Sequence, residues 1–383
     1  MTRPKHGGNL AWAAAIAGCP ASFIRDFSAS INPLGPPQRV LNAIEQGLQQ
    51  LKSYPDPDYF ELRSSLAQYH QLETNYILPG NGSAELLTWA SRELAQQKVT
   101  YLITPAFGDY WRALKAFNTN IFPHSLIPVS PRLCTDISSA GNKFPRRVLV
   151  PASPHFPIPL SSLLPDKPPD NSGLLLNNPH NPTGMLWTRA EILPYLEKFA
   201  LVVVDEAFMD FLPPHQEQSL ISLITDFSNL VILRSLTKFY SLPGLRIGYA
   251  IAHPKRLQRW QQWRDPWSVN ILAALAAEAA IQDREFQQQT WDWLPSARAK
   301  LIQGLASIPG LKPLEGAANF LLVPTKMSGQ QLQQTLLRQY HILIRDCLSF
   351  PELGDRYFRI AVRSPEENQQ LIEAMEQAIF QES

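Results

Sequence analysis

Cysteine is scarce. Cys19, Cys134 and Cys347 are the only three in 383 residues; far apart and odd in number, they suggest neither a disulfide framework nor a metal cluster. Such a chain reads as a cytoplasmic protein of a reducing compartment. An excess of charge of one sign is missing as well, since Lys+Arg 34 against Asp+Glu 33 leaves a formal +1. That balance gives no footprint for nucleic acid or an anionic membrane, so any bound anion must be captured by a few placed cations. No apolar stretch approaches the ~20 residues that span a bilayer. Met1 to Cys19 does carry the order of an export signal: Arg3 and Lys5, an apolar run Leu10–Ala17, then Gly18-Cys19. His6-Gly7-Gly8-Asn9 interrupts it and the run is short, so this segment reads as an N-terminal helix. There are no internal repeats and no low-complexity linker; many of the 34 prolines punctuate loops.

What is present is an ordinary globular balance, 45% hydrophobic and 17% charged. The length favours one large domain plus a smaller one. Helical periodicity recurs at about 38–51, 58–70, 83–97 and 106–116. Short apolar runs at Val99–Ile103, Leu174–Leu176, Leu201–Val204, Val231–Leu233 and Gly248–Ala252 read as strands buried on both faces. Unalternating runs separated by helices predict an α/β fold with a mostly parallel sheet between helices. The proline-rich stretch 128–171 reads as surface connection with one strand at Val148–Val150. From about 285 the pattern changes to long helices, then strands near 319–323, 341–344 and 357–361, and a helix from Pro365. The expected organisation is an N-terminal arm joined to the small domain over 1–45, a large domain over 46–284 and a small α+β domain over 285–383.

The chemistry gathers at strand ends. Ser235-Leu236-Thr237-Lys238 follows a buried strand, where open α/β sheets bind ligands and where a partly desolvated amine becomes nucleophilic towards an aldehyde. Ser235 and Arg246 flank it and can meet one phosphate. Asp205 and Glu206 end another apolar strand, where acids bind a ligand or cap the following element. Asn181, between Pro179 and Pro182, has a restricted backbone and can present its amide to a flat ligand. Pro79-Gly80-Asn81-Gly82-Ser83 is a glycine-bearing loop opening a helix, either a phosphate cradle or a plain cap.

Taken in order, Gly-Asn-Gly-Ser, Asn-Pro-His-Asn-Pro-Thr-Gly, Asp-Glu-Ala-Phe, Ser-Leu-Thr-Lys and Gly-Leu-Arg-Ile-Gly-Tyr resemble the fold-type-I pyridoxal-phosphate aminotransferases, especially the histidinol-phosphate branch, over about residues 54–250. The resemblance implies a large domain with a seven-stranded sheet and pyridoxal 5'-phosphate as cofactor. Lys238 would be the Schiff-base lysine and Asp205 the partner of the pyridine nitrogen. Asn181 would meet the ring oxygen, Phe107 would stack on the ring, and Gly82, Ser83, Ala84, Ser235 and Arg246 would hold the phosphate. Tyr54 would reach the phosphate of a partner subunit, which implies a homodimer with shared sites. One departure stands out: Phe208 occupies the place where this family has a tyrosine donating to the ring oxygen.

The ends of the chain resemble the L-threonine-O-3-phosphate decarboxylase family of cobalamin synthesis, through His6-Gly7-Gly8-Asn9, the run Asp26 to Gly35, Asp265 to Asn270, Ile342 to Cys347 and Tyr357 to Ile360. That resemblance implies a phosphorylated amino-acid substrate and loss of CO2 to give (R)-1-amino-2-propanol phosphate. His6 and Arg345 would bind the substrate phosphate, Arg359 the carboxylate with help from Asn181, and Asn32 would line the site. The cofactor motifs serve decarboxylation and transamination alike. A histidinol-phosphate-type aminotransferase is therefore the alternative, and a non-catalytic fold relative is a third. Read without the family, His6 is a solvated terminal residue and Arg345 a surface charge or ion-pair partner. Arg359, mid-strand between Phe358 and Ile360, calls for an anionic partner on either view.

Overall fold

A computed structural model describes residues 3, 4, 6–126 and 158–381. Most of the chain is organised around seven strands: β2 (Ile77–Asn81), β3 (Val99–Thr104), β4 (Ile121–Ser125), β5 (Ser172–Asn177), β6 (Leu201–Asp205), β7 (Leu230–Ser235) and β8 (Ile247–Ala252). The short β1 (Arg25–Asp26) precedes them and belongs to another sheet. Their spatial order is β2-β8-β7-β6-β5-β3-β4.

The four strands β5 to β8 are buried at every position. Alternate residues feed two cores on opposite faces of the sheet. Leu174, Leu176, Val202, Val204 and Ile232 join one; Leu175, Val203, Val231 and Leu233 join the other. This two-sided burial is why the strands read as unbroken apolar runs, each Val or Leu contributing about 1.5–3 kcal/mol.

The sheet is mostly parallel, with one exception. β8 runs antiparallel to both β7 and β2. Burial on both faces makes a run apolar whichever way it points, so Gly248–Ala252 gave no sign of its direction. Two strands escaped the hydrophobic pattern. β2 continues through Pro79 and Gly80 to Asn81, where a loop was expected, and the helix Gly82–Leu94 begins at the next residue. β4 contains Pro123 and is only partly buried. Both lie at sheet edges, where a missing backbone donor is tolerated.

The other helices fall where the periodicity placed them, at Gln38–Gly47, Phe60–His70 and Gly108–Ala116. The first tightens into a 3-10 turn over Leu48–Lys52. The strand expected at Val148–Val150 lies outside the described residues.

The C-terminal part opens with the long helix Arg284–Ala306. It then supplies β9 (Phe320–Pro324), β10 (Ile342–Leu343), β11 (Arg345–Asp346) and β12 (Tyr357–Ala361) before the last helix, Pro365–Gln381. β11, β12 and β9 form an antiparallel three-stranded sheet, while β10 pairs in parallel with β1. The N-terminal arm is thus woven into the C-terminal part: Phe27 N–H donates to the Leu343 carbonyl, and Ala361 N–H donates to the Phe27 carbonyl. Residues 10–17 form the expected helix, capped by the Asn9 side chain. Its Trp12 and Ala13 pack against Leu337 and Leu343. No helix among the described residues is long and apolar enough to cross a membrane.

Candidate active site

Register brings the singled-out residues to one edge of the large sheet. Asn177 lies beside Asp205, Asp205 beside Leu233, Ser235 beside Gly248, and Asn81 beside Ile247. The carboxyl ends of β2, β5, β6 and β7 therefore line a single cleft, the usual ligand position in an open α/β sheet.

Asp205 is 7% exposed. Its Oδ2 accepts from the Tyr110 hydroxyl at 2.7 Å and its Oδ1 from Ala207 N–H at 2.9 Å. Burial raises its pKa, and those two donors oppose the rise. The second bond is a local turn closure, as the capping reading of Asp205 expects. Its neighbour Glu206 points to the other face of the sheet, fully buried, and pairs with Arg234 at 3.0 Å. Asp210 and Glu217 complete that cluster around the same guanidinium.

Lys238 stands one helical turn beyond Ser235, its side chain partly exposed into the cleft. Burial, then the Arg359 and Arg246 charges, lower its pKa to about 8, with Asp205 acting the other way. Its backbone carbonyl accepts from Asn32 N–H at 3.0 Å. Asn32 is itself buried, its side-chain amide donating to Phe239 O and Thr290 Oγ1. Asn32 thus holds the lysine turn against the long helix Arg284–Ala306.

The helix Gly82–Leu94 starts beside these strand ends, and its cap residue Asn81 makes no side-chain capping bond. The first-turn amides of Ser83 and Ala84 belong to the donors that a helix cannot satisfy internally. Gly82 has φ +71°, and a Cβ there would sit 2.8 Å from Arg246 Nη2, so the guanidinium lies on the helix start. Arg246 also donates to Pro243 O at 2.9 Å. The Ser235 and Thr237 hydroxyls are 2.7 Å apart at the same end of β7. Gly82→Ala should force Arg246 aside and strain the turn, weakening affinity for a phosphate-bearing ligand by ~10-fold. Equilibrium dialysis with pyridoxal phosphate on the apoprotein checks it.

Arg359 and Arg345 are cross-strand partners on β12 and β11, which puts their Cα atoms about 4.5–5.5 Å apart. Arg359 Nη1 donates to Asn181 Oδ1 and Nη2 to the Ser28 carbonyl at 3.2 Å. Its guanidinium also lies 4.9 Å from the Phe320 ring centroid. Burial, followed by repulsion from Arg345, lowers its pKa to about 10. Arg345 is 5% exposed and donates to Ser349 Oγ, so the surface-charge reading of this residue is set aside. Asn181 N–H donates to Asn177 Oδ1 at 2.7 Å, which fixes the proline-bounded turn to β5. Lys238, Arg345 and Arg359 bring positive charge to the cleft beside Asp205, with Asp346 acting on Arg345 and Asp26 on Arg359.

Phe107 precedes the helix Gly108–Ala116, 5.8 Å from Tyr110 by ring centroids and 5.6 Å from His6. His6 is exposed but reaches across the cleft to that ring. Phe208 is buried, edge-on to Phe320 at 5.0 Å, which makes its side of the cleft apolar. Tyr54 sits apart from the others: 80% exposed, it packs against Trp267 at 4.6 Å. Tyr110 and Ser28 were not singled out in the sequence. Tyr110 carried one signal, a position three residues after Phe107 on the same helix face. Ser28 stood out only within the run Asp26 to Gly35, and it is its carbonyl that meets Arg359.

The model of the family "Aminotransferase class I and II" matches residues 24–375. The threonine-phosphate decarboxylase of Salmonella typhimurium is 37% identical over 379 residues, covering 97% of this chain and 95% of that protein. The crystal structure of L-threonine-O-3-phosphate decarboxylase from Porphyromonas gingivalis has a TM-score of 0.75 and 25% identity, covering 92% of this chain and 98% of that one. The histidinol-phosphate aminotransferase of Sinorhizobium meliloti, in complex with pyridoxal-5'-phosphate, shares the fold with a TM-score of 0.78 at 20% identity, covering 98% and 95%.

Proposed function

The chain belongs to the class I and II aminotransferase family, and from that premise we propose that it is a pyridoxal-phosphate-dependent decarboxylase of L-threonine O-3-phosphate, releasing CO2 and (R)-1-amino-2-propanol phosphate for cobalamin synthesis. The observation that carries the reading is the directly opposed pair Arg345 and Arg359 at the cleft. Two adjacent guanidinium groups suit a short substrate with an anion at each end. Histidinol phosphate has no carboxylate for the second, but the keto acid an aminotransferase also takes has one at each end, so the choice between the two reactions rests on the 37% identity to a threonine-phosphate decarboxylase.

The residues present fit the cofactor. A cationic cradle at the start of Gly82–Leu94, a carboxylate held by Tyr110 and a partly neutral lysine border one cleft. Gly82, Ser83, Ala84, Ser235 and Arg246 would hold the phosphate, Asp205 the ring nitrogen, Asn181 the ring oxygen, Phe107 the ring face and Lys238 the aldehyde carbon. When bound, the cofactor supplies the electron sink that accepts the pair left as the Cα–carboxylate bond breaks.

The chain's own groups direct that step. Arg359, steered by Asn181 Oδ1 and Ser28 O, would fix the substrate carboxylate and with it the orientation of Cα. Arg345 and His6 hold the distal phosphate, leaving the substrate two anchored ends and little rotation between them. Lys238 Nζ would hold the proton that returns to Cα once CO2 has left. Phe208, lacking a hydroxyl, gives the ring oxygen no second side-chain donor beside Asn181.

The reading includes residues 1–45 and 285–383 as one small domain beside a large domain over 46–284. It also includes a cytoplasmic homodimer with shared sites. Leu48, Leu51, Tyr54, Phe60 and Trp267 stand exposed on neighbouring segments, an apolar surface suited to a second copy that would bring Tyr54 to its partner's phosphate cradle. Holoenzyme incubated with L-threonine O-3-phosphate and no keto acid should yield CO2 and aminopropanol phosphate in equal amounts. Conversion of histidinol phosphate only when 2-oxoglutarate is added would establish the aminotransferase instead.

A further inference from the structure

The N-terminal strap 6–9 and the carboxylate site meet at one residue, Ser28. A Cβ on Gly7 would lie 2.3 Å from the Ser28 carbonyl oxygen, 2.7 Å from its carbon and 3.0 Å from Ser28 Oγ. Only glycine permits that approach. Gly8, at φ +81°, donates its N–H to Ser28 Oγ at 2.8 Å. Ser28 is in turn fixed by Asp26 Oδ1, which accepts from its N–H at 2.8 Å and its hydroxyl at 2.6 Å. The same Ser28 carbonyl accepts from Arg359 Nη2. On the other side of the strap, Arg345 Nη1 donates to the Pro4 carbonyl at 3.5 Å, and Arg3 pairs with Asp346 at 3.4 Å. Helix Leu10–Ala17 anchors the strap's far end on Leu337 and Leu343, next to β11. The strap is therefore tied to both Arg345 and Arg359, and His6 is the residue it places over Phe107.

We propose that Gly7 is a specificity-determining position. It seats the His6 strap on the carbonyl that anchors Arg359, and so sets the distance between the carboxylate and phosphate subsites to that of a 2-amino acid phosphorylated on C3. The inference rests on the decarboxylase reading for what fills the two subsites. Gly7 and Ser28 act as positioning residues; the groups that touch substrate are His6, Arg345 and Arg359. With Gly7 seated, a substrate whose phosphate sits one carbon farther from its carboxylate cannot place both anions at once. With the strap lifted, the wider-spaced one loses less than the narrower.

The test titrates holoenzyme, following its visible absorbance, with L-threonine O-3-phosphate, unphosphorylated L-threonine and the isomeric L-homoserine O-phosphate, whose phosphate sits one carbon farther from the carboxylate. Wild type should bind them in the order threonine phosphate, homoserine phosphate, threonine. Gly7→Ala should weaken threonine phosphate by ~10-fold or more, leave threonine within about twofold and narrow the gap to homoserine phosphate. Ser28→Ala, which keeps the glycine seat and loses the Gly8 bond, should do the same by about threefold, and it carries the test if Gly7→Ala does not fold. An equal loss for all three ligands, no loss, or a wild type that binds homoserine phosphate as tightly as threonine phosphate would overturn the proposal. Because the titration reads binding, a wild type that discriminates among the ligands yet releases no CO2 would sink the decarboxylase reading and leave the strap's role standing.

Discussion

Lys238→Ala should abolish turnover, lowering it by ~10³-fold or more, while the protein still takes up cofactor without a covalent bond. Two separate losses combine in that one side chain. The amine can no longer bond the aldehyde, and no group remains beside Cα to return a proton after CO2 departs. The cradle at Gly82–Leu94, Arg246 and the Tyr110-held Asp205 are untouched, so noncovalent uptake persists and dialysis should remove it more readily than from wild type. Activity assays paired with cofactor content after dialysis check both halves. Full retained activity would remove the mechanism. The same lysine predicts a pH dependence for loading the apoprotein. Its pKa is lowered to about 8 and the neutral amine is the nucleophile, so covalent uptake should quicken as pH rises through about 8 and slow as it falls below. Stopped-flow absorbance would read the profile; an inflection near the ordinary lysine value would show that burial and the two arginines do not act on it.

Arg359→Ala should lower kcat/KM by roughly 30- to 5,000-fold, the ~2–5 kcal/mol lost when one partner of a buried charged pair is truncated. Its loss leaves Asn181 Oδ1 and the Ser28 carbonyl without their donor and the substrate carboxylate without its guide. Both kcat and KM should worsen, because the residue orients the breaking bond as well as binding it. Arg345→Ala should differ in kind. It should raise KM for the phosphorylated substrate far more than it weakens cofactor binding, with a smaller change in kcat. Equal losses of substrate and cofactor affinity would make Arg345 a structural residue.

The contrast between these arginines marks where the sequence stopped being readable. The residues proposed to hold the cofactor are local: each sits at the end of an apolar run or the start of a helix, so Lys238, Asp205, Asn181 and Gly82 could be singled out one strand at a time. What joins Arg345 to Arg359 is the antiparallel register of β11 on β12, and no spacing in the chain encodes it. The roles of Arg345 and His6 came from resemblance alone. Tyr110 was missed because a buried tyrosine on an amphipathic helix looks like core until a carboxylate is found 2.7 Å from its hydroxyl. The direction of β8 and the existence of β4 were illegible for opposite reasons: β8 is buried on both faces and carries no directional pattern, while β4 is a half-exposed edge with a proline inside it. Tyr54 shows a different limit, since its proposed contact lies on a second subunit and the chain alone places its ring against Trp267.

The proposed decarboxylase breaks the Cα–carboxylate bond rather than the Cα–H bond. The direct test is turnover of L-threonine O-3-phosphate in deuterated water, with product and recovered substrate weighed by mass spectrometry. Decarboxylation predicts CO2 release, one deuterium on the product carbon that bore the carboxylate, and recovered substrate free of deuterium. Recovered substrate deuterated at Cα, with no CO2 released, would contradict the account and show that the site labilises hydrogen as an aminotransferase does.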